Sequence, residues 1–366
     1  MALSTIPFSG LGADASNQGV NFRNLIINGD MSIAQRGTSV SSVSSSGYKA
    51  VDRYRYGAGS DIVNTFSQST DVPSGQGFKY SHKQEATTGD ASLASDQYNI
   101  FQQRLEGYMF QSAKFGTSNA ESLTLSFWIK ASVTGTYVVE LDNIDGGVSQ
   151  SQSFTVSSAS TWEKKTITFS GDTSNAISID NGRGLDLNWW LGAGTNFSSG
   201  TLQTTWGTQT ASNRAVGATN AFASNNDSVY ITGVQLEVGT SASDFEFLPY
   251  DVNLQRCMRY YQLLINGADQ SFENFTSYNG ASVYCAHRFN VTGMRTAPTG
   301  ITSNNTNDFA FYSQSNAHFA PTLSFDHIHE RGSWIYCTMT TSVTQGSSLF
   351  GKSNTSTALC AFDAEL

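Results

Sequence analysis

The sequence predicts an all-β protein: an N-terminal arm, a jelly-roll β-sandwich, a short connecting helix and a C-terminal β-sandwich domain. Three observations carry this. Charged residues make up 13% of the 366, about half the roughly 25% of an ordinary soluble domain, and Gly, Ser, Thr and Asn take their place. Apolar and polar residues alternate over short runs closed by Gly, Asn, Asp or Ser, the signature of strands and turns. One stretch in the middle, "FLPYDVNLQRCMRYYQ" (Phe247–Gln262), instead carries apolar residues at helical spacing.

In chain order, residues 1–23 show little periodicity and read as an arm. "NLIINGDMSIAQRG" (Asn24–Gly37) follows, with a strand at Leu25–Ile27 and a turn at Asn28-Gly29-Asp30, since Asn and Gly accept positive φ cheaply. From Ser122 the alternation sharpens through "SLTLSFWIKAS", "TYVVELDN", "SQSFTVS", "WEKKTITFSGD", "AISIDN", "LDLNWWLGAG" and "DSVYITGVQLEVG", a sandwich pattern that places the jelly roll at 24–250. Pro249 stops the last strand, Asp251 caps a helix, and Arg256 and Arg259 suit its C-terminal dipole. Val252, Leu254, Met258 and Tyr261 form its apolar stripe, giving a connector at 251–262. Residues 263–366 supply a second set of strands, several with apolar residues on both faces. A small domain that buries both faces needs a neighbour, and an identical chain provides one.

The formal net charge is −9 and no Lys/Arg-rich run occurs. Nucleic-acid binding needs clustered cations against phosphate, so no nucleic-acid partner is expected. No apolar stretch approaches a membrane span, so no membrane insertion is expected. The N-terminus lacks a cationic n-region and an apolar h-region, and Sec-type secretion is not indicated. The four cysteines, Cys257, Cys285, Cys337 and Cys360, lack C-x-x-C spacing and read as buried apolar side chains.

No G-x-S-x-G, H-E-x-x-H, P-loop or dinucleotide fingerprint is present, so no enzyme is expected. In "NWWLGAGTNFSSGTLQTTW", Trp189, Trp190 and Trp206 are candidate glycan-binding residues, because a flat ring fits the apolar C–H face of a sugar. Trp189 and Trp190 point to opposite faces of a strand, so at most one lines any surface. Asp142 and Asp145, and likewise Asp180 and Asp186, are oxygen donors at a spacing that suits Ca²⁺, against an ordinary role in Asx turns. In "SFDHIHERG", His327 and His329 share one face of an extended strand, about 7 Å apart. Three such pairs round a threefold axis make six imidazoles, a shell for a first-row metal; the alternative is a pair of surface or interface histidines. No other cofactor is expected.

The ordered segments "NLIINGDMSIAQRGTS…YKAVDRYRY", "LTLSFWIKAS…GTYVVEL…STWEKKTITFSGD", "VYITGVQLEVGTSASDFEF", "LPYDVNLQRCMRYYQ" and "FNVTGMRTAPT…FDAEL" resemble bacteriophage tail-fibre and virion-surface fibre proteins that carry a carbohydrate-binding-module-like jelly roll. The resemblance runs from 24 to 366. It implies a homotrimer on the virion, in the tail or on the capsid surface, assembled in host cytoplasm. Residues 1–23 would attach to another virion protein, and 263–366 would face the receptor, a host surface glycan. The apolar stripe Val252/Leu254/Met258/Tyr261 would then pack near the threefold axis. Low charge suits a neutral polysaccharide. The rival readings are a capsid decoration or head fibre of the same build, and a glycan-degrading tail enzyme with carboxylates such as Glu140, Asp142 or Asp180 across a cleft.

Overall fold

Leu123, Leu125, Phe127, Ile129 and Ala131 alternate with Thr124, Ser126, Trp128 and Lys130, so a strand through them is apolar on one face only. The computed structural model places all five apolar side chains in one buried core. It describes residues 22–289, 293–305, 307–313, 316–320 and 322–366; the N-terminal arm lies outside these apart from Phe22 and Arg23. The chain divides into two units, the first ending at Tyr250 and including Leu366, the second running Asp251–Glu365.

The first unit has strands β1 (Ser39–Val43), β2 (Gly47–Tyr48), β3 (Arg55–Ala58), β4 (Val63–Ser69), β5 (Ser81–Thr88), β6 (Tyr98–Glu106), β7 (Leu123–Ala131), β8 (Gly135–Asn143), β9 (Val148–Val156), β10 (Glu163–Phe169), β11 (Arg183–Ala193), β12 (Gly207–Thr208) and β13 (Ser228–Val238), with a helical turn α1 (Thr195–Ser198) before β12. They make a six-stranded sheet, β1-β4-β5-β13-β7-β10, and a seven-stranded sheet, β12-β9-β8-β11-β6-β3-β2. Every pairing in both is antiparallel. The inner faces share one core, in which Phe127 and Ile231 of the first sheet meet Val139, Phe101 and Trp189 of the second. This is the predicted jelly-roll sandwich.

Two segments differ from expectation. Leu25–Ile27 forms no strand; its backbone groups go to side chains and to the Leu236 carbonyl of β13 instead. Gln103 accepts from Ile27 N and donates to Ile27 O, both at 3.0 Å, and Asn24 Oδ1 accepts from the Ile26 and Leu236 amides. Gly29 lies so close to β13 that a Cβ there would meet Val234 O at 2.1 Å. "AISIDN" is also irregular: Ile177 is buried in the core, and the Ser178 amide donates to Asp145 Oδ2 at 2.8 Å.

Helix α2 (Tyr250–Met258) spans the division between units and is shorter than expected. The second unit continues with β14 (Tyr261–Asn266), β15 (Ser271–Ser277), β16 (Ser282–Arg288), β17 (Thr299–Thr302), β18 (Phe309–Ser313), β19 (Asn316–Ala320), β20 (Ser324–His329), β21 (Gly332–Thr338), β22 (Ser348–Ser353) and β23 (Leu359–Asp363). A three-stranded sheet, β14-β23-β17, and a seven-stranded one, β19-β18-β22-β15-β16-β21-β20, enclose a second core. Tyr261 opens β14 opposite Asp363 and is buried there, which takes it out of the helical stripe. Val252, Leu254 and Met258 are half-buried, and Asn253 and Cys257 form the buried face of α2.

All four cysteines are buried, and no disulfide forms among the described residues. Burial pushes the Cys285 and Cys360 thiols up to about 12, and raises Cys337 as well. His82, on β5, sits among Phe101, Phe66 and Tyr54, with ring centroids 4.5, 5.7 and 6.5 Å away. Neither of its ring nitrogens finds a partner among the described residues, and burial pushes its pKa down to about 3.

A histidine held neutral in the fold takes up protons only on unfolding, so its contribution is fully present above about pH 6.5 and is lost as pH falls towards 3. His82→Phe is expected to raise stability by about 1–2 kcal/mol at neutral pH and to flatten the acid limb. Urea midpoints across that range check this; an unchanged acid limb would place the sensitivity elsewhere.

Candidate functional site

The outer face of the seven-stranded sheet bears polar residues where a solvated face would bear a few scattered charges. The register sets them in three rungs across β8, β11, β6 and β3. Asp142 lies opposite Asp186, which lies opposite Arg104. Glu140, Asn188, Gln102 and Arg55 form the second rung, and Val138, Trp190, Ile100 and Gly57 the third. Alternation alone produces this: in "LDLNWWL", Leu185, Leu187 and Trp189 enter the core, and Asp186, Asn188 and Trp190 face the other way.

Two charged centres hold the rungs together. Glu140 is fully buried, and Arg214 forks onto it with Nε–Oε1 and Nη2–Oε2 distances of 2.7 Å. Asn188 Nδ2 and Trp190 Nε1 each donate to Glu140 Oε2 at 3.1 Å. Arg214 Nη2 also reaches Asp142 Oδ2 at 3.0 Å, where Gln209 Nε2 donates at 2.6 Å. At the second centre Arg183 grips Asp186 with both Nε and Nη2, and Gln102 Nε2 donates to Asp186 Oδ2 at 2.6 Å and to Asn188 Oδ1 at 2.7 Å. Gln102 Oε1 in turn accepts from Arg104 Nε and Arg55 Nη1. Arg104 Nη1 donates to the carbonyl of Leu366, which belongs to this unit.

These groups line a cavity of about 280 Å³. Its wall includes Tyr98 and Phe197, half-buried rings 5.4 Å apart and edge to face. Phe197 is carried by α1 and Arg214 by the loop after β12; the Ala215 amide donates to Phe197 O at 2.9 Å and ties the two together. Burial, with the Glu140 charge beside it, pushes the Asp142 carboxyl up to about 7 against the pull of Arg214. Burial and the neighbouring Arg183 hold Arg104 below the usual guanidinium range.

The candidate residues of the sequence fall in different places. Trp190 lines the cavity but is 1% exposed, covered by the Arg214 guanidinium 5.1 Å from its ring centre and by Phe197 at 5.5 Å. Trp189 is wholly in the core against Phe101 and Phe127. Trp206 is elsewhere, its Nε1 donating to Ser170 O at 2.6 Å and its ring edge-on to Phe115. Asp142 belongs to the cavity, and Asp145 lies in a turn where its Oδ2 accepts from the Ser178 amide. Asp180 lies in a turn and accepts from the Gly182 amide.

His327 and His329 do not share a regular strand face. The pairing of β20 shifts register between Asp326 and His329, and His327 takes a positive φ of 47°. This bulge breaks the two-residue period. The His327 ring turns onto Trp334, 4.7 Å away, and His329 Nδ1 accepts from the Arg331 amide. Among the described residues no group of three or more His, Cys, Asp or Glu is placed to hold a metal ion.

The arginines, Gln102, Asn188, Tyr98 and Phe197 were not singled out from sequence. The available signal was the polar alternation of "LDLNWWL" and "VVELDN", read beside "IFQQR".

No protein-family model matches the chain, and no curated protein sequence matches it. Among solved structures, the chain is similar to the enzymatically active domain of tailspike protein 4 of Bacteriophage CBA120, with 13% identity and a TM-score of 0.34 over 59% of this chain and 21% of that one. It is also similar to a family 61 carbohydrate-binding module in complex with β-1,4-galactotriose, at 13% identity and a TM-score of 0.29, covering 59% of this chain and 99% of the module. A putative sugar-binding protein from Bacteroides thetaiotaomicron stands at 13% identity and a TM-score of 0.31, covering 59% of this chain and 99% of that one. The chain spans about a fifth of the tailspike domain, and likenesses this distant carry no functional conclusion.

Two outcomes follow for this network. Arg214→Met leaves the buried Glu140 charge without its counter-ion and is expected to cost about 3–5 kcal/mol in chemical unfolding. Asp142 is protonated more readily folded than unfolded. Its contribution is therefore present below about pH 4 and is lost as pH rises to about 7. Asp142→Asn is expected to abolish that decline and to leave the opposing His82 slope exposed, which thermal unfolding across the same pH range will read.

Proposed function

We propose that this chain is a non-enzymatic fibre protein of a bacteriophage virion surface, and that the cavity over β3, β6, β8 and β11 binds a host surface glycan. One observation carries the reading. A cavity the size of one or two sugar rings combines half-buried aromatic rings, Tyr98 and Phe197, with a bank of fixed hydrogen-bonding forks from Gln102, Asn188 and four arginines. Apolar ring faces suit the C–H face of a pyranose, and planar forks suit its vicinal oxygens. Such a site needs little rearrangement, because Gln102, Asn188 and the arginines are each already positioned by a bonded neighbour.

The virion reading draws its support from the ordered sequence segments, which resemble phage fibre proteins from residue 24 onwards. In this reading residues 1–23 join the fibre to another virion protein and three chains assemble into one fibre. Weak single-site binding is then raised by having several sites on one particle. The half-buried Val252, Leu254 and Met258 of α2 are the proposed contact near the threefold axis.

Phe197→Ala and Tyr98→Ala are each expected to weaken glycan binding by about tenfold or more, measured on a glycan array and by adsorption to host cells. Unchanged binding by both variants, with the fold intact, overturns the site. Light scattering of the purified chain is expected to give the mass of three copies, reduced to one by Leu254→Asp with Met258→Asp; a single-copy mass for the unaltered chain overturns the trimer.

A further inference from the structure

We propose that the cavity selects an acidic glycan, one bearing a sugar carboxylate such as a uronate or sialate, and not the neutral polysaccharide that the low overall charge suggests. This rests on the glycan reading of the cavity and sharpens it. Four guanidiniums, Arg55, Arg104, Arg183 and Arg214, line the cavity and meet three side-chain carboxylates, Glu140, Asp142 and Asp186, with the Leu366 oxygen a further acceptor on Arg104. The side chains of the site therefore carry an excess of positive charge in a chain of formal net charge −9.

The carboxylates are consumed internally. Glu140 and Asp186 are fully buried and gripped by Arg214 and Arg183. The arginines are only partly consumed, although Arg104 has both Nε and Nη1 engaged, by Gln102 and by the Leu366 oxygen. Arg183 and Arg214 use Nε and Nη2, leaving Nη1 of each without an acceptor among the described residues. Among the described residues the Arg55 side chain has a single hydrogen bond of 3.3 Å, from Nη1 to Gln102. A planar guanidinium edge with two donors matches a carboxylate better than a lone hydroxyl. The cations also crowd one another, since Arg183 and Arg55 both act against the charge of Arg104. An incoming anion relieves that repulsion, whereas a neutral sugar does not.

The occupancy of one proton modulates the site. Asp142 faces Glu140 on its own strand, Asp186 and Arg183 on β11, and Arg214 and Gln209 from the covering loop. Below its transition near 7 it is neutral and the excess of positive charge grows. Affinity for an acidic ligand is therefore expected to fall as pH rises through that point, and affinity for a neutral ligand to stay level.

The test uses matched pairs on the full chain by calorimetry: oligogalacturonate against the same oligomer with its carboxyls reduced to alcohols, and sialyllactose against lactose. The acidic member of at least one pair is expected to bind about tenfold tighter or better. Arg55→Gln is expected to remove the preference and leave the unfolding midpoint unchanged, because it gives up one 3.3 Å bond. Equal affinities within every pair overturn acid selectivity and leave the glycan reading standing. Failure of all four probes overturns both. A preference that survives in both Arg55→Gln and Arg104→Gln overturns the assignment to this cavity.

Discussion

A carboxylate with no access to water dictates the arrangement of the first unit's outer face. Glu140 is fully buried on β8, and an ion in that position costs several kcal/mol unless it is paired and its lone pairs are filled. Each partner it recruits fixes something else. Arg214 must arrive from the loop after β12, which brings that loop over the sheet and, through the Ala215 amide, ties it to the turn carrying Phe197. Trp190 must present its Nε1 to the same carboxylate, which sets its ring against Arg214 and turns it away from solvent. Asn188 completes the shell and hands its carbonyl oxygen to Gln102, linking this centre to the Arg183–Asp186 pair. The cavity is the space these obligations leave.

Much of the fold was legible because period-two alternation is a local property. β7, β8, β9, β10, β11 and β13 coincide with runs read directly from the chain. β5, "SHKQEATT", escaped notice because its buried positions are filled by His82, Gln84 and Ala86, which carry little hydropathy. Leu25–Ile27 misled for the opposite reason: three apolar residues in succession look like a strand, and only distant groups such as Gln103 and the β13 backbone show that they are held as an irregular segment. The second unit's histidine pair failed on a bulge, which a hydropathy pattern does not register.

The site was legible by halves. Glu140, Asp142, Asp186 and Trp190 stood out in sequence, but as separate possibilities for a cation, a cleft or a stacking ring. Their partners Arg55, Arg104, Arg183 and Arg214 are scattered over some 160 positions, and only the non-sequential strand order β8-β11-β6-β3 gathers three of them. Net charge misled in a related way. A chain total averages over the whole surface and hides the gathering of four arginine side chains against three carboxylate side chains.

The cysteines have a practical consequence. All four belong to the second unit, and the first has none. Because the thiolate is the nucleophile, groups this buried, three of them with raised pKa values, stay silent towards alkylating reagents until their surroundings open. Thiol labelling of the native chain thus clocks the opening of one lobe alone, an internal stopwatch that separates its breathing from that of the cysteine-free lobe without any engineered probe.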